Sequence, residues 1–195
     1  MENWNGYKLL KTQFEGKELI TVYPENPNGR WVLKTEYFGA FPAVELELLK
    51  LGYHIFHVQN ETRWHVWKDT ERRAKLAEYV HNELGLSKKC VIVGMSCGGM
   101  QGIYFGAKYP EYVSCMHLDA PVVNLLSCPG GLGKAGDDMF EEFENAKGMT
   151  LTELLAYRDA GNIIETIIKP GCDHHPHCLE DNALIIEFIR KYDVD

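Results

Sequence analysis

Cys90-Val91-Ile92-Val93-Gly94-Met95-Ser96-Cys97-Gly98-Gly99-Met100 is the stretch on which the reading of this chain turns. Cys90 to Met95 is nearly all apolar, the pattern of a parallel strand buried on both faces. Gly98 to Tyr109 reads as a helix, stopped by Pro110. Between them lies G-x-S-x-G, which random sequence of this length produces in roughly one chain in fifteen. Its position gives it weight. Passing from strand to helix within one residue forces Ser96 into a strained backbone conformation, and Gly94 and Gly98 leave room for the close approach. The turn presents the hydroxyl at the carboxyl edge of the sheet. There the positive end of the helix favours an oxyanion, with the Cys97 N–H as one donor. The simpler alternative is a tight turn whose Ser96 merely caps the helix.

Working outward, strands alternate with helices. Tyr7 to Phe14 and Glu18 to Tyr23 read as a hairpin about Glu15-Gly16-Lys17. Trp31 to Tyr37 is a short strand, followed by a helix from Pro42 to Leu51 that Gly52 ends. Tyr53 to Val58 is a strand. Asp69 is placed as the cap of a helix running to Leu84, with Leu76, Ala77, Val80 and Leu84 on one face. Val113 to Leu118 is a further strand. This alternation predicts βαβ units and a parallel sheet covered on both sides. Leu125 to Gly136 reads as a loop, and Asp137 to Ala146 and Thr150 to Tyr157 as helices. Asn162 to Lys169 reads as a last strand, and Asp181 to Tyr192 as a closing helix capped by Asp181.

The 195 residues are enough for one domain, expected to span 1–195, and few for two. A formal net charge of −8 excludes the basic footprint that nucleic acid or an anionic membrane requires. The N-terminus shows no basic stretch followed by an apolar run, and no segment has the length of a membrane span, so a cytoplasmic location is expected. The six cysteines are then expected as reduced thiols. No cofactor is called for.

A serine nucleophile needs a base. The loop Lys169-Pro170-Gly171-Cys172-Asp173-His174-His175-Pro176-His177-Cys178 follows the last expected strand, at the same carboxyl edge as the Ser96 turn. His174 is the candidate base and His175 the fallback, while His177 is assigned a structural hydrogen bond near the helix start. The competing reading is a zinc site formed by Cys172, His174, His175, His177 and Cys178. Ligands so crowded about Pro176 close a tetrahedron poorly.

Four segments resemble bacterial α/β hydrolases related to prolyl-oligopeptidase-type and carbohydrate-esterase enzymes. They are Thr35 to Pro42 (TEYFGAFP), Gly94 to Met100 (GMSCGGM), Asp119 to Val122 (DAPV) and Lys169 to His177 (KPGCDHHPH). The resemblance implies an α/β-hydrolase three-layer sandwich with a mostly parallel sheet, an N-terminal hairpin and a shortened C-terminal part. It implies Ser96 as nucleophile and His174 as base, with Phe38 and Gly39 supplying the second oxyanion donor.

One departure stands out. Family members carry a further strand and the triad's acid before the last strand, yet here Leu154 to Arg158 runs almost directly into Gly161 to Ile164. Three outcomes are open: Asp119, at the end of the strand Val113 to Leu118, substitutes as the acid rather than only holding the loop before Pro121; Ser96 and His174 act as a dyad; or the protein is a degenerate or partner-completed enzyme. A missing strand also exposes a sheet edge, which favours a homodimer. Trp64 and Trp67, in the loop after Val58, offer flat faces for a sugar ring or aromatic acyl group, or else pack ordinarily. With no long insertion to form a lid, the expectation is a serine esterase acting on small acyl esters, acylated sugars included. The alternatives are a noncatalytic binding protein of the same fold and a metal-binding protein.

Overall fold

The structure is a computed structural model and describes residues 2–123, 142, 145–146, 177, 179 and 181–193. The expected helices at 137–146 and 150–157, the strand at 162–169 and the shortened passage at 154–164 lie mostly or wholly outside them. So does most of the histidine loop.

The chain opens on three antiparallel strands, β1 (Glu2–Trp4), β2 (Tyr7–Phe14) and β3 (Lys17–Tyr23). Both turns place two successive residues at positive φ: Asn5 (50°) with Gly6 (91°), and Glu15 (49°) with Gly16 (75°). That geometry matches the twist of a two-residue hairpin. The Asn5-Gly6 signal adds a strand, β1, that the sequence reading had left out.

Next come β4 (Trp31–Lys34), α1 (Ala43–Lys50), β5 (His54–Val58), α2 (Trp67–Asn82), β6 (Cys90–Met95), α3 (Cys97–Lys108) and β7 (Val113–Asp119). The described chain closes with α4 (Ala183–Tyr192). The sheet order is β1-β2-β3-β5-β4-β6-β7, with β5, β4, β6 and β7 parallel. Leaving β4 the chain steps to β5, whereas leaving β6 it steps the opposite way to β7. The carboxyl ends of β4 and β6 therefore flank the point where the winding reverses, which is where open α/β sheets build their sites.

Two apolar layers cover the sheet. On one face Val32, Ile55, Val91 and Val93 pack with Val44, Leu48 and Leu49 of α1 and Ile185 and Ile189 of α4. On the other, Trp31, Leu33, Phe56 and Ile92 pack with Leu76, Ala77 and Val80 of α2 and Phe105 of α3. This is the three-layer sandwich expected from the alternation.

Three helix boundaries differ from the expected ones. Helix α2 begins at Trp67, so Asp69 is not its cap. Asp69 is a fully buried residue of the first turn, accepting from the Glu61 N–H (3.0 and 3.1 Å) and from Arg72 (2.5 Å). Leu84 lies past the helix end and is 44% exposed. At α4 the cap residue is Asn182, although the Asp181 carboxylate does accept the Ala183 N–H at 2.8 Å.

Candidate active site

Ser96 stands between the last residue of β6 and the first of α3 with φ 51° and ψ −122°, a strained conformation for a residue with a side chain. The backbone around it explains why glycine is needed. A Cβ on Gly94 would lie 2.7 Å from the Gly98 carbonyl oxygen, and one on Gly99 would lie 2.6 Å from Cβ of Pro121. Neighbouring backbone holds the turn in place. The Ser96 N–H donates to the Asp119 carbonyl (2.9 Å), and the Ser96 carbonyl accepts from Gly99 and Val122 (both 3.0 Å).

The parallel register of β6 and β7 sets Met95 opposite Asp119, so the acid candidate arrives beside the serine. The Asp119 carboxylate meets Nδ1 of His177 at 3.2 Å, with both side chains largely buried. His177 also packs edge-on against Phe41, centroids 5.5 Å apart. Among the described residues the imidazole on Asp119 is that of His177, the residue assigned a structural hydrogen bond. Pairing between residues 58 positions apart leaves no local signal. His174 and His175 lie outside the described residues, as does the Cys172–Cys178 ligand set apart from His177.

Cys97 is the first residue of α3, directly after Ser96. Phe38 and Gly39 both lie against Trp4 of β1. Phe38 stacks on His57 (5.8 Å) and meets Trp4 (5.1 Å), and a Cβ on Gly39 would touch the Trp4 ring. Tyr37, just before them, takes a positive φ of 54°. The backbone against the Ser96 turn belongs to Thr35 and Glu36. A Cβ on Gly98 would lie 3.0 Å from Glu36 Cβ and 3.2 Å from Glu36 N, and the Thr35 hydroxyl donates to the Gly98 carbonyl (2.7 Å). The Tyr37 side chain reaches the Cys97 thiol, and burial pushes its phenol above the ordinary tyrosine range.

Trp64 is fully buried against Cys97, Met100, Tyr104 and Val122. An enclosed ring offers no face to a sugar, so Trp64 is a packing residue behind the Ser96 turn. Trp67 is 52% exposed and lies edge-on to His65 and Tyr104, with the Lys108 ammonium 4.6 Å from its ring centre. Cys90, Cys97 and Cys115 are buried thiols, and burial pushes Cys115 up to about 12. Among the described residues no helix is long and apolar enough to cross a membrane.

A mixed sheet with helices on both faces and a strained serine between strand and helix defines a hydrolase-type scaffold. The alpha/beta hydrolase fold profile matches residues 39–155, and the chain belongs to that family. Several solved structures are similar to parts of this chain. One is the HSL-homolog EstE7 from a metagenome library, at 14% identity and TM-score 0.50, covering 64% of this chain and 48% of that one. Another is epoxide hydrolase VrEH1 from Vigna radiata, at 14% and 0.45, covering 60% and 39%. A third is a thioesterase domain from the curacin biosynthetic pathway, at 16% and 0.45, covering 77% and 65%. In each case the match spans less than two thirds of the other protein's length. A search of curated proteins returned no match.

Proposed function

We propose that this protein is a serine hydrolase of small carboxylic esters, with acetyl esters and acylated sugars as the substrate class. The observation that carries this reading is the Ser96 turn, strained and bonded to the Asp119 backbone, while the Asp119 carboxylate holds an imidazole from the tail. A strained serine of this kind persists only where its surroundings enforce it, and such strain concentrates at reactive sites.

In the proposed reaction Ser96 Oγ attacks the ester carbonyl while a tail imidazole removes its proton. The oxyanion of the tetrahedral intermediate accepts from the Cys97 N–H at the head of α3. Collapse expels the alcohol, which takes the proton from the imidazolium, and water then releases the acid by the same two steps in reverse. Asp119 orients the imidazole, filling the acid position that the family places further along the chain. His174 is the base that the motif assigns, whereas the Asp119 contact favours His177.

The test is turnover of p-nitrophenyl acetate. Ser96→Ala abolishes it, and Asp119→Asn lowers kcat by roughly 100-fold or more. Of His174→Ala and His177→Ala, the variant that falls to the Ser96→Ala level identifies the base. If Asp119→Asn turns over like the wild type, Asp119 does not orient the imidazole.

A further inference from the structure

The Glu36 carboxylate sits where three functional segments meet. One of its oxygens accepts from Nδ2 of Asn60 (2.5 Å), in the loop after β5, and from Nε2 of Gln101 (3.0 Å), on the nucleophile helix α3. The other lies 3.3 Å from the Tyr37 N–H. Asn60 Nδ2 also donates to the Thr35 carbonyl (2.7 Å), and Gln101 Nε2 donates to the Arg63 carbonyl (2.8 Å). Beneath them lies the fully buried guanidinium of Arg73, whose Nη2 donates to Asn60 Oδ1, Gln101 Oε1 and the Thr35 carbonyl.

A buried guanidinium is a poor device for stability alone. Burial lowers the Arg73 pKa to about 10, and among the described residues its Nε and Nη1 have no hydrogen-bond partner. An apolar side chain of similar volume is often at least as stable in such a place. What a connected buried polar network does supply is one defined arrangement of the segments that it joins.

The geometry points to Glu36 and Gln101, held over Arg73, as positioning residues that set the Thr35–Tyr37 backbone against the Ser96 turn and so preform the oxyanion site. This rests on the hydrolase reading above. The two residues act on the reacting atoms through the backbone, and a displacement of about 1 Å at such a site costs about 100-fold in rate.

The experiment compares full-length wild type with Glu36→Ala, Gln101→Ala and the double variant. It measures the rate of Ser96 phosphonylation by a fluorophosphonate together with kcat and KM on p-nitrophenyl acetate. Each single variant should lose roughly 10- to 100-fold in phosphonylation and in kcat, with KM nearly unchanged. The double variant should be little worse than the poorer single one, because both cut the same hydrogen bond. Should Glu36→Ala fail to fold, Gln101→Ala, which leaves the Asn60 contact with the carboxylate in place, carries the comparison. Folded variants phosphonylated at the wild-type rate, or a rise in KM with kcat intact, overturn the positioning role while leaving the hydrolase reading in place. A wild type that is never labelled overturns both.

Discussion

A methyl group on Gly99 would lie 2.6 Å from Cβ and 2.9 Å from Cα of Pro121, in the segment that follows Asp119. The close approach joins the start of α3 to the end of β7, so this glycine sets the spacing of Ser96 from Asp119. Gly99→Ala must push the two segments apart. The expected cost is about 1–3 kcal/mol of stability, from overpacking, with a larger fall in kcat than in thermal midpoint. Urea unfolding and ester kinetics on the same preparation check this. At this scale the sequence was informative wherever the chemistry is local. Glycines on either side of a serine announce a strained turn, and the structure has it. The partners of Asp119 and Glu36 lie tens of residues away, and no spacing rule reports such a meeting.

At the scale of elements, β5 is buried along its length yet carries His54 and His57, each 8% exposed. Burial holds both imidazoles below their ordinary range, against a weaker upward pull from hydrogen bonds to Arg30 and Lys34. The unfolded chain takes up protons near pH 6.5, whereas the folded strand resists them. Stability from this source is therefore full above that pH and is lost as pH falls through 6.5 toward the lower folded values. Urea midpoints at pH 7.5 and 5.5 should differ, the second being lower, and His57→Gln should narrow the gap. Equal wild-type midpoints would contradict this. The order of strands and helices was legible because the periods of 2 and 3.6 differ and glycine and proline punctuate them. Boundaries were less so. The strand expected to reach Tyr37 ends at Lys34, since Thr35 turns to bond both Val93 and Gly98. The start of α2 was misread because Asp69, a good cap by type, is buried in the first turn on Arg72.

Over the whole molecule, the site draws on the ends of β4, β6 and β7 together with the tail, and α4 ties that tail to the body. Asp193, just past α4, is 5% exposed; it accepts from the Tyr53 hydroxyl (2.6 Å) and pairs with Arg30 (3.2 Å). Removing the carboxylate takes the acceptor from the Tyr53 hydroxyl and the charge partner from Arg30, whose Nη1 keeps the Asp193 carbonyl (2.6 Å). Asp193→Ala should cost about 1–3 kcal/mol and lower ester turnover, although it lies at the opposite end of α4 from His177. Undiminished turnover in a destabilised variant would show that the tail keeps its place without this anchor.

The central claim is that the Ser96 hydroxyl is a nucleophile activated by the fold around it. Intact-protein mass measurement after exposure to a fluorophosphonate, with peptide mapping of the adduct, tests it most directly. The account predicts one adduct per chain, on Ser96, in the wild type and none in Ser96→Ala. A folded wild type that takes up no adduct, or a Ser96→Ala variant labelled to the same extent, would contradict it.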